Sequence, residues 1–290
     1  MPSDTAPPSW MDPDAIAYGI VNIAVANLRQ LASFPSEMTD QAPLGTIVPI
    51  FEDQNEFCFI TNWDGYPGWM TRYSMVRVDA DAARAWSDAP DRLVCTDNHA
   101  RVIGGDEVLT ELVTGAVVRQ VGVDDTHFHV TLPDGREGRV RRAALMPESA
   151  LLQRRAMPET IVAQARQFLG IPYLWGGATS KAFDCSGLVQ MVYRLWNHHL
   201  PRNASQMAHH GTDVPLDEDF TELRAGDLLF FGKSRRRITH VAIAIGDSRY
   251  LHAEGLVKIN SLDPDADDYN LVRRDSLLLV RRVLTPRRDA

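Results

Sequence analysis

The stretch KAFDCSGLVQMVYRLW, residues 181–196, sets a cysteine directly after an aspartate, where loop-forming residues give way to a helical pattern. Leu188, Val189, Val192 and Leu195 recur at helical spacing, so a helix over 185–196 with one apolar face is expected. Asp184 is then the N-cap, and Cys185 falls in the first turn. Unpaired backbone N–H groups and the positive end of the helix dipole favour thiolate over thiol there. The Asp184 carboxylate acts in the opposite sense, so an ionised nucleophile at Cys185 needs a histidinium partner.

Among nine histidines, His240 and His252 stand out because THVAIAIGDSRYLHAEG (239–255) has the pattern of a β-hairpin turning near Gly246 to Ser248. With Ile245 opposite Arg249, Ala242 faces His252. His240 is then the diagonal neighbour of His252 on the same face, roughly 7–8 Å away. That face carries only small Ala242 and Ala244 between the histidines, which predicts room for a helix end or a substrate, while Val241, Ile243 and Ile245 point to the core. Cys185 as nucleophile, His240 as base and His252 as the group orienting His240 make up a Cys-His-polar triad.

Composition narrows the function classes. The chain has 290 residues, 44% of them hydrophobic, enough for two or three domains with buried cores. A formal net charge of −8 and the lack of a long basic run argue against a nucleic-acid partner, and KSRRR (233–237) reads as a solvated loop. No stretch reaches the roughly 20 apolar residues of a membrane span, and the acidic, proline-rich start lacks signal-peptide features, so a cytoplasmic location is expected. Three widely spaced cysteines suggest neither a disulfide framework nor a zinc cluster; Cys58 and Cys95 sit in strand-like contexts and read as structural thiols. The adjacent pairs His198-His199 and His209-His210 point in different directions on a helix or strand. No phosphate loop appears, and no cofactor or metal is implied.

Residues 44–148 are rich in short strand-like runs broken by turns. Shifting the sequence by 70 residues aligns Gly45 with Gly115, Asp64-Gly65 with Asp134-Gly135 and Gly68 with Gly138, which indicates two copies of one small all-β module. After Pro158 the pattern changes. PETIVAQARQFLG predicts a helix with Pro158 at its start and Gly170 just past its end, and the later runs GDLLFFG, THVAIAIG, RYLHAEG and LLLVRRV supply strands of an α+β domain.

Five segments in order, PYLWGG (172–177), FDCSGLV (183–189), LRAGDLLFF (223–231), HVAIAIG (240–246) and YLHAEG (250–255), resemble the signature of the NlpC-type cell-wall cysteine peptidases. The two repeats resemble bacterial SH3-like (SH3b) barrels. The implied architecture is multidomain: an N-terminal tail (1–16), SH3b modules at 17–80 and 91–148, and a papain-like catalytic domain at 157–285. The resemblance makes Cys185 the nucleophile, His240 the base and His252 the third member, and sets Tyr173 beside the thiol to assist the Cys185 N–H in binding an oxyanion.

The combination looks like the γ-D-glutamyl-L-diamino acid endopeptidases of murein-peptide recycling, which cut L-Ala-γ-D-Glu from the following diamino acid and require a free amino terminus. A murein peptide is therefore the implied partner. By the same resemblance Glu37 and Tyr73 match positions near that terminus, Asp184, Ser186 and Trp175 match substrate-contacting positions, and Ser205 is a further contact, whereas Asn203 stands where many relatives have Asp. The repeat offers a check of its own: Trp69 and Tyr73 align with Arg139 and Ala143, while Glu37 aligns with Glu107. Two alternatives share these features, a papain-like amidase or transacylase acting on another acyl group, and an inactive SH3b cell-wall binding protein.

Overall fold

The 70-residue repeat reappears in the strand order. The computed structural model describes residues 10–217 and 219–284; the first nine residues of the expected tail and residue 285 lie outside the described residues. One sheet is built from β1 (Ala17–Val21), β2 (Val25–Arg29), β3 (Met38–Pro43), β4 (Ile47–Gln54), β5 (Phe57–Thr61), β6 (Pro67–Thr71) and β7 (Met75–Val78), in the order β3-β2-β6-β5-β4-β1-β7. Helix α1 (Ala80–Ser87) follows, capped by Asp79, whose side chain accepts from the Ala82 N–H.

A second sheet repeats the plan with β8 (Arg92–Cys95), β9 (His99–Gly104), β10 (Glu107–Val113), β11 (Val117–Val123), β12 (His127–Thr131), β13 (Glu137–Arg141) and β14 (Leu145–Pro147), ordered β10-β9-β13-β12-β11-β8-β14. Each strand is the seventh successor of its counterpart. Alternating apolar residues build a separate core for each sheet, around Val48, Ile50, Ile60 and Met70 in one and Val102, Val118, Val130 and Val140 in the other. Neither sheet closes on itself through pairing of its end strands among the described residues, so both are open seven-stranded sheets where barrels are expected.

The shared DG turns have a shared mechanism. Gly65 and Gly135 take φ of +80° and +84°, and the preceding Asp64 and Asp134 each accept a hydrogen bond from the N–H two residues on, at 3.1 Å.

A contact boundary falls between Ala150 and Leu151, within the short helix α2 (Glu148–Leu152). The C-terminal unit contains α3 (Pro158–Arg166), the two-stranded ribbon β15 (Ala178–Thr179) and β16 (Ala182–Phe183), α4 (Cys185–Arg194), α5 (Ala204–Met207), α6 (Leu271–Ser276) and a six-stranded antiparallel sheet. That sheet joins β17 (Thr212–Val214), β18 (Leu228–Ser234), β19 (Arg237–Gly246), β20 (Arg249–Glu254), β21 (Leu256–Ser261) and β22 (Leu277–Arg282) in the order β17-β22-β18-β19-β20-β21. Pro158 opens α3, and Gly170, at φ +85°, follows it and hands its N–H to the Val257 carbonyl.

Helix α4 departs from the expected one-faced pattern: every residue from Cys185 to Tyr193 is buried. It packs on β19 and β20, while α3 and the β15–β16 ribbon cover it elsewhere. Gly187 makes the close approach feasible, since a Cβ there would come within 2.1 Å of the Gly177 carbonyl oxygen. Among the described residues no helix is long and apolar enough to cross a membrane.

Candidate active site

Asp184 caps α4 through Oδ1, which accepts the Gly187 N–H at 2.7 Å, and so fixes Cys185 as the first helical residue. The carboxylate does more than cap. Its Oδ1 also accepts from the Ser186 hydroxyl and the Arg202 guanidinium, and its Oδ2 accepts from Arg202 at 2.6 Å and from the Gly176 N–H at 3.1 Å. Arg202 is 2% exposed and donates to Ser186 Oγ as well, at 2.8 Å. A carboxylate has about four lone-pair directions, so these donors occupy the Asp184 oxygens and pair its charge with Arg202.

The thiol also differs from expectation. Cys185 is buried, and burial first, then the neighbouring Asp184 charge, pushes the thiol up to about 11; the Val241 N–H directed at the sulfur offsets this only in part. Desolvation outweighs the helix dipole. Burial and the Asp184 charge thus favour thiol over thiolate, against the pull of the helix position. Cys58 and Cys95 are likewise buried, with thiols pushed up to about 11 and about 12, chiefly by burial.

The histidine hairpin has its turn at Asp247 and Ser248, both with positive φ; Gly246, not the expected Ile245, stands opposite Arg249, and a register shift between Ala244 and Gly246 still leaves Ala244 opposite Tyr250 and Ile243 opposite Leu251, in phase with Ala242 opposite His252. His240 Nε2 lies 2.8 Å from His252 Nδ1, with the rings perpendicular. His252 Nε2 in turn lies 3.0 Å from Asn260 Oδ1, and Asn260 Nδ2 donates to the Asp268 carbonyl at 2.9 Å. Asn260 therefore fixes His252 as His252 fixes His240. His252 pairs across the ladder with Lys258, which puts Asn260 two residues on, on the same face. That face follows from sequence alternation, but the register does not, so Asn260 is missed from sequence.

The face between the histidines is filled, not open. Ala242 and Ala244 belong to a buried cluster with Leu229, Phe231, Tyr250 and Val280. Phe231, opposite His240 in the ladder, packs its ring 5.7 Å from the imidazole. The alanines are small because Phe231 and Tyr250 are large. Burial, then the Arg273 charge, then His252 hold His240 well below the ordinary histidine value, and burial lowers His252 to about 4. Arg273, on α6, lies over the Phe231 ring at 5.7 Å and pairs with Glu254.

Tyr173 is half-buried and near enough to Cys185 and Asp184 that their charges, after burial, raise its hydroxyl to about 12. Ser186 is buried against Asp184 and Arg202, whereas Trp175 is exposed, as is Ser205 on α5, which begins after Asn203. In the N-terminal unit, Glu37 is exposed and Tyr73 is 69% exposed, its hydroxyl 3.4 Å from Glu56 Oε1. Arg202 carries no signal of burial in LPRNASQ beyond lying near Asn203, and sequence reasoning overlooks it.

Comparison with known proteins decides the lineage. Residues 170–273 match the NlpC/P60 family. The C-terminal unit thus carries an NlpC/P60 segment. It is 31% identical over 191 residues to a γ-D-glutamyl-L-lysine dipeptidyl-peptidase of Bacillus subtilis, a match covering 65% of this chain and 60% of that protein. It is 28% identical over 271 residues to dipeptidyl-peptidase 6 of Lysinibacillus sphaericus, covering 88% and 94%. The crystal structure of an NlpC/P60 family protein from Bacillus cereus superposes with a TM-score of 0.74 at 20% identity, over 92% of this chain and all of that one, which extends the shared fold beyond the NlpC/P60 segment.

Proposed function

We infer that this NlpC/P60 chain is a cysteine peptidase that hydrolyses the γ-D-glutamyl to L-diamino acid bond of short peptidoglycan stem peptides. The observation that carries this reading is the relay His240–His252–Asn260 on a β-ribbon whose Val241 N–H meets the sulfur of Cys185 at the start of α4. The name of the Bacillus subtilis relative supplies the bond.

In the reaction the neutral thiol and neutral imidazole act together. His240 Nε2 is committed to His252, so Nδ1 takes the thiol proton as Sγ attacks the glutamyl carbonyl carbon. The developing oxyanion meets the Cys185 N–H at the helix start and the Tyr173 hydroxyl. Collapse passes the proton from His240 to the leaving amine and leaves a thioester; water, deprotonated by His240, then attacks the thioester, releasing the acid and returning the proton to sulfur. Forming charge at attack rather than beforehand suits a site whose burial disfavours both ions at rest.

Asp184 and Arg202 act through Cys185 and Ser186 rather than on the substrate amine: their pair anchors the first turn of α4. The resemblance nominates Glu37 and Tyr73 for a free amino terminus, with Trp175 and Ser205 as further contacts. The two open seven-stranded sheets read as diverged SH3b modules, with boundaries at 17–80 and 91–148 ahead of a catalytic domain from 157.

Mass spectrometry of L-Ala-γ-D-Glu-diaminopimelate and its lysine counterpart after incubation tests the reading, with Cys185→Ala as control. Release of L-Ala-γ-D-Glu by the native chain alone supports it. No cleavage of either peptide, or cleavage retained in Cys185→Ala, overturns it. Loss of cleavage on N-acetylation supports the free-terminus requirement.

A further inference from the structure

The second seven-stranded sheet carries a groove that the proposed peptidase reaction does not use. It encloses about 330 Å³ on the outer face of β9, β12 and β13, lined by His99, Arg101, Ile103, His127, Arg139 and Arg141. Arg139 also walls an adjoining groove of about 270 Å³. In the ladder His127 stands opposite Arg141 and His129 opposite Arg139, so basic groups face one another directly.

The internal duplication supplies a reference surface. At the equivalent positions of the first sheet, 70 residues earlier, Phe57 stands opposite Thr71 and Phe59 opposite Trp69. Phe59 and Trp69 pack with ring centroids 5.2 Å apart. One module scaffold thus presents aromatic rings in the first copy and guanidinium and imidazole groups in the second. The change is local to the face; both copies keep the same core and turns.

The rim of the groove already holds carboxylates. Glu111 meets His99 at 2.9 Å, Asp97 meets Arg141 at 3.2 Å and Asp124 meets His129 at 3.0 Å. Arg101 and Arg139, by contrast, have no ion pair or hydrogen-bond partner from their side chains among the described residues. We propose that Arg101 and Arg139 form a binding site for a carboxylate ligand, a short acidic peptide, on the second β module. Two forked guanidiniums on adjacent strands suit carboxylate oxygens. The existing pairs set the size: Arg141 is engaged by Asp97, His99 by Glu111 and His129 by Asp124, so Arg101 and Arg139 alone are left for one or two incoming carboxylates rather than a long polyanion.

The test is NMR titration of the full chain with N-acetyl-Ala-Glu-Glu amide. Expected are amide shifts confined to Ala100–Ile103 and Glu137–Arg141, affinity that falls with added salt, and binding weakened about tenfold or more in Arg101→Gln and in Arg139→Gln. Both side chains are exposed, and unchanged thermal midpoints verify folding. The Gln-Gln isostere should give no shifts. Equal response to the isostere, no shifts on this face, native affinity in both variants, or tighter binding of tripolyphosphate than of the peptide overturns the proposal.

Discussion

Arg202 and Asp184 form a two-point pair, with the guanidinium nitrogens 2.6 and 3.0 Å from the two carboxylate oxygens and both side chains buried. Such a pair is stabilising only relative to its broken form, because one partner alone leaves an uncompensated charge out of water. Here that charge would lie one residue from Cys185. Arg202→Gln should therefore cost about 3–5 kcal/mol of stability and depress kcat more than KM. Arg202→Lys should rescue little, because an ammonium cannot reproduce the planar fork. Urea unfolding beside steady-state kinetics checks both, and a stable Arg202→Gln protein with native kcat would remove the anchoring role.

The buried histidines set a pH dependence of stability. His252 is lowered from 6.5 to about 4, and His240 shifts in the same direction. In the unfolded chain these imidazoles take protons near their ordinary value, while the folded site resists, so stability is full above about 6.5 and falls as pH drops towards 4. His252 alone accounts for on the order of 3 kcal/mol across that window. Replacing His252 with Gln should flatten the loss between pH 7 and pH 4.5, read from denaturant midpoints; an unchanged slope would refute the assignment.

The thiol titrates the opposite way. With Cys185 pushed up to about 11 from 9.0, it stays protonated in the fold where the unfolded chain ionises, so stability declines as pH rises from about 9 towards 11. Thiolate absorbance in the ultraviolet should show no ionised Cys185 in the free protein at pH 7, and iodoacetamide should modify it slowly there. A thiolate signal at neutral pH, absent in Cys185→Ala, would point instead to a preformed ion pair.

Much of this architecture was readable from residues alone where short-range chemistry decides. The DG turns, the Pro158 start of α3 and Asp184 as N-cap follow from local backbone demands, although α3 already ends at Arg166, short of Gly170, and the 70-residue repeat carries the strand order of both sheets. What escaped depends on long-range burial. The state of Cys185 turns on how completely α4 is covered, and the filled face of Ala242 and Ala244 turns on Phe231 arriving from another strand. Arg202, 18 residues from its partner, and Asn260, set by ladder register, have no local signature.

Gly187 offers a packing test. A Cβ added there meets the Gly177 carbonyl oxygen at 2.1 Å and the Ala178 Cα at 2.9 Å, both backbone atoms that cannot rotate away. Gly187→Ala should force the β15–β16 ribbon from α4, costing about 1–3 kcal/mol and loosening the Gly176 N–H contact with Asp184. Gly122→Ala, whose nearest neighbour would be His129 Cβ at 3.5 Å, serves as the tolerant control. Equal thermal midpoints for the two variants would contradict this account.

Asn260 closes the relay, and its removal separates orientation from proton affinity. Its Oδ1 is 3.0 Å from His252 Nε2, so that nitrogen carries the proton, and His252 Nδ1 is left to accept from His240 Nε2–H. That tautomer leaves His240 Nδ1 as a lone-pair base in the proposed reaction. Asn260→Leu deletes two neutral hydrogen bonds, to His252 and to the Asp268 carbonyl, about 0.5–1.5 kcal/mol each, and loss of the first should lower kcat roughly three- to tenfold at neutral pH. Asn260→Asp should retain more activity, because a carboxylate accepts the same proton, but it should also raise the His252 pKa by placing a negative charge against the ring. Its pH–rate profile should then shift upward on the acidic limb. Identical profiles and rates for the Leu and Asp variants would show that His252 orients His240 without help from this residue.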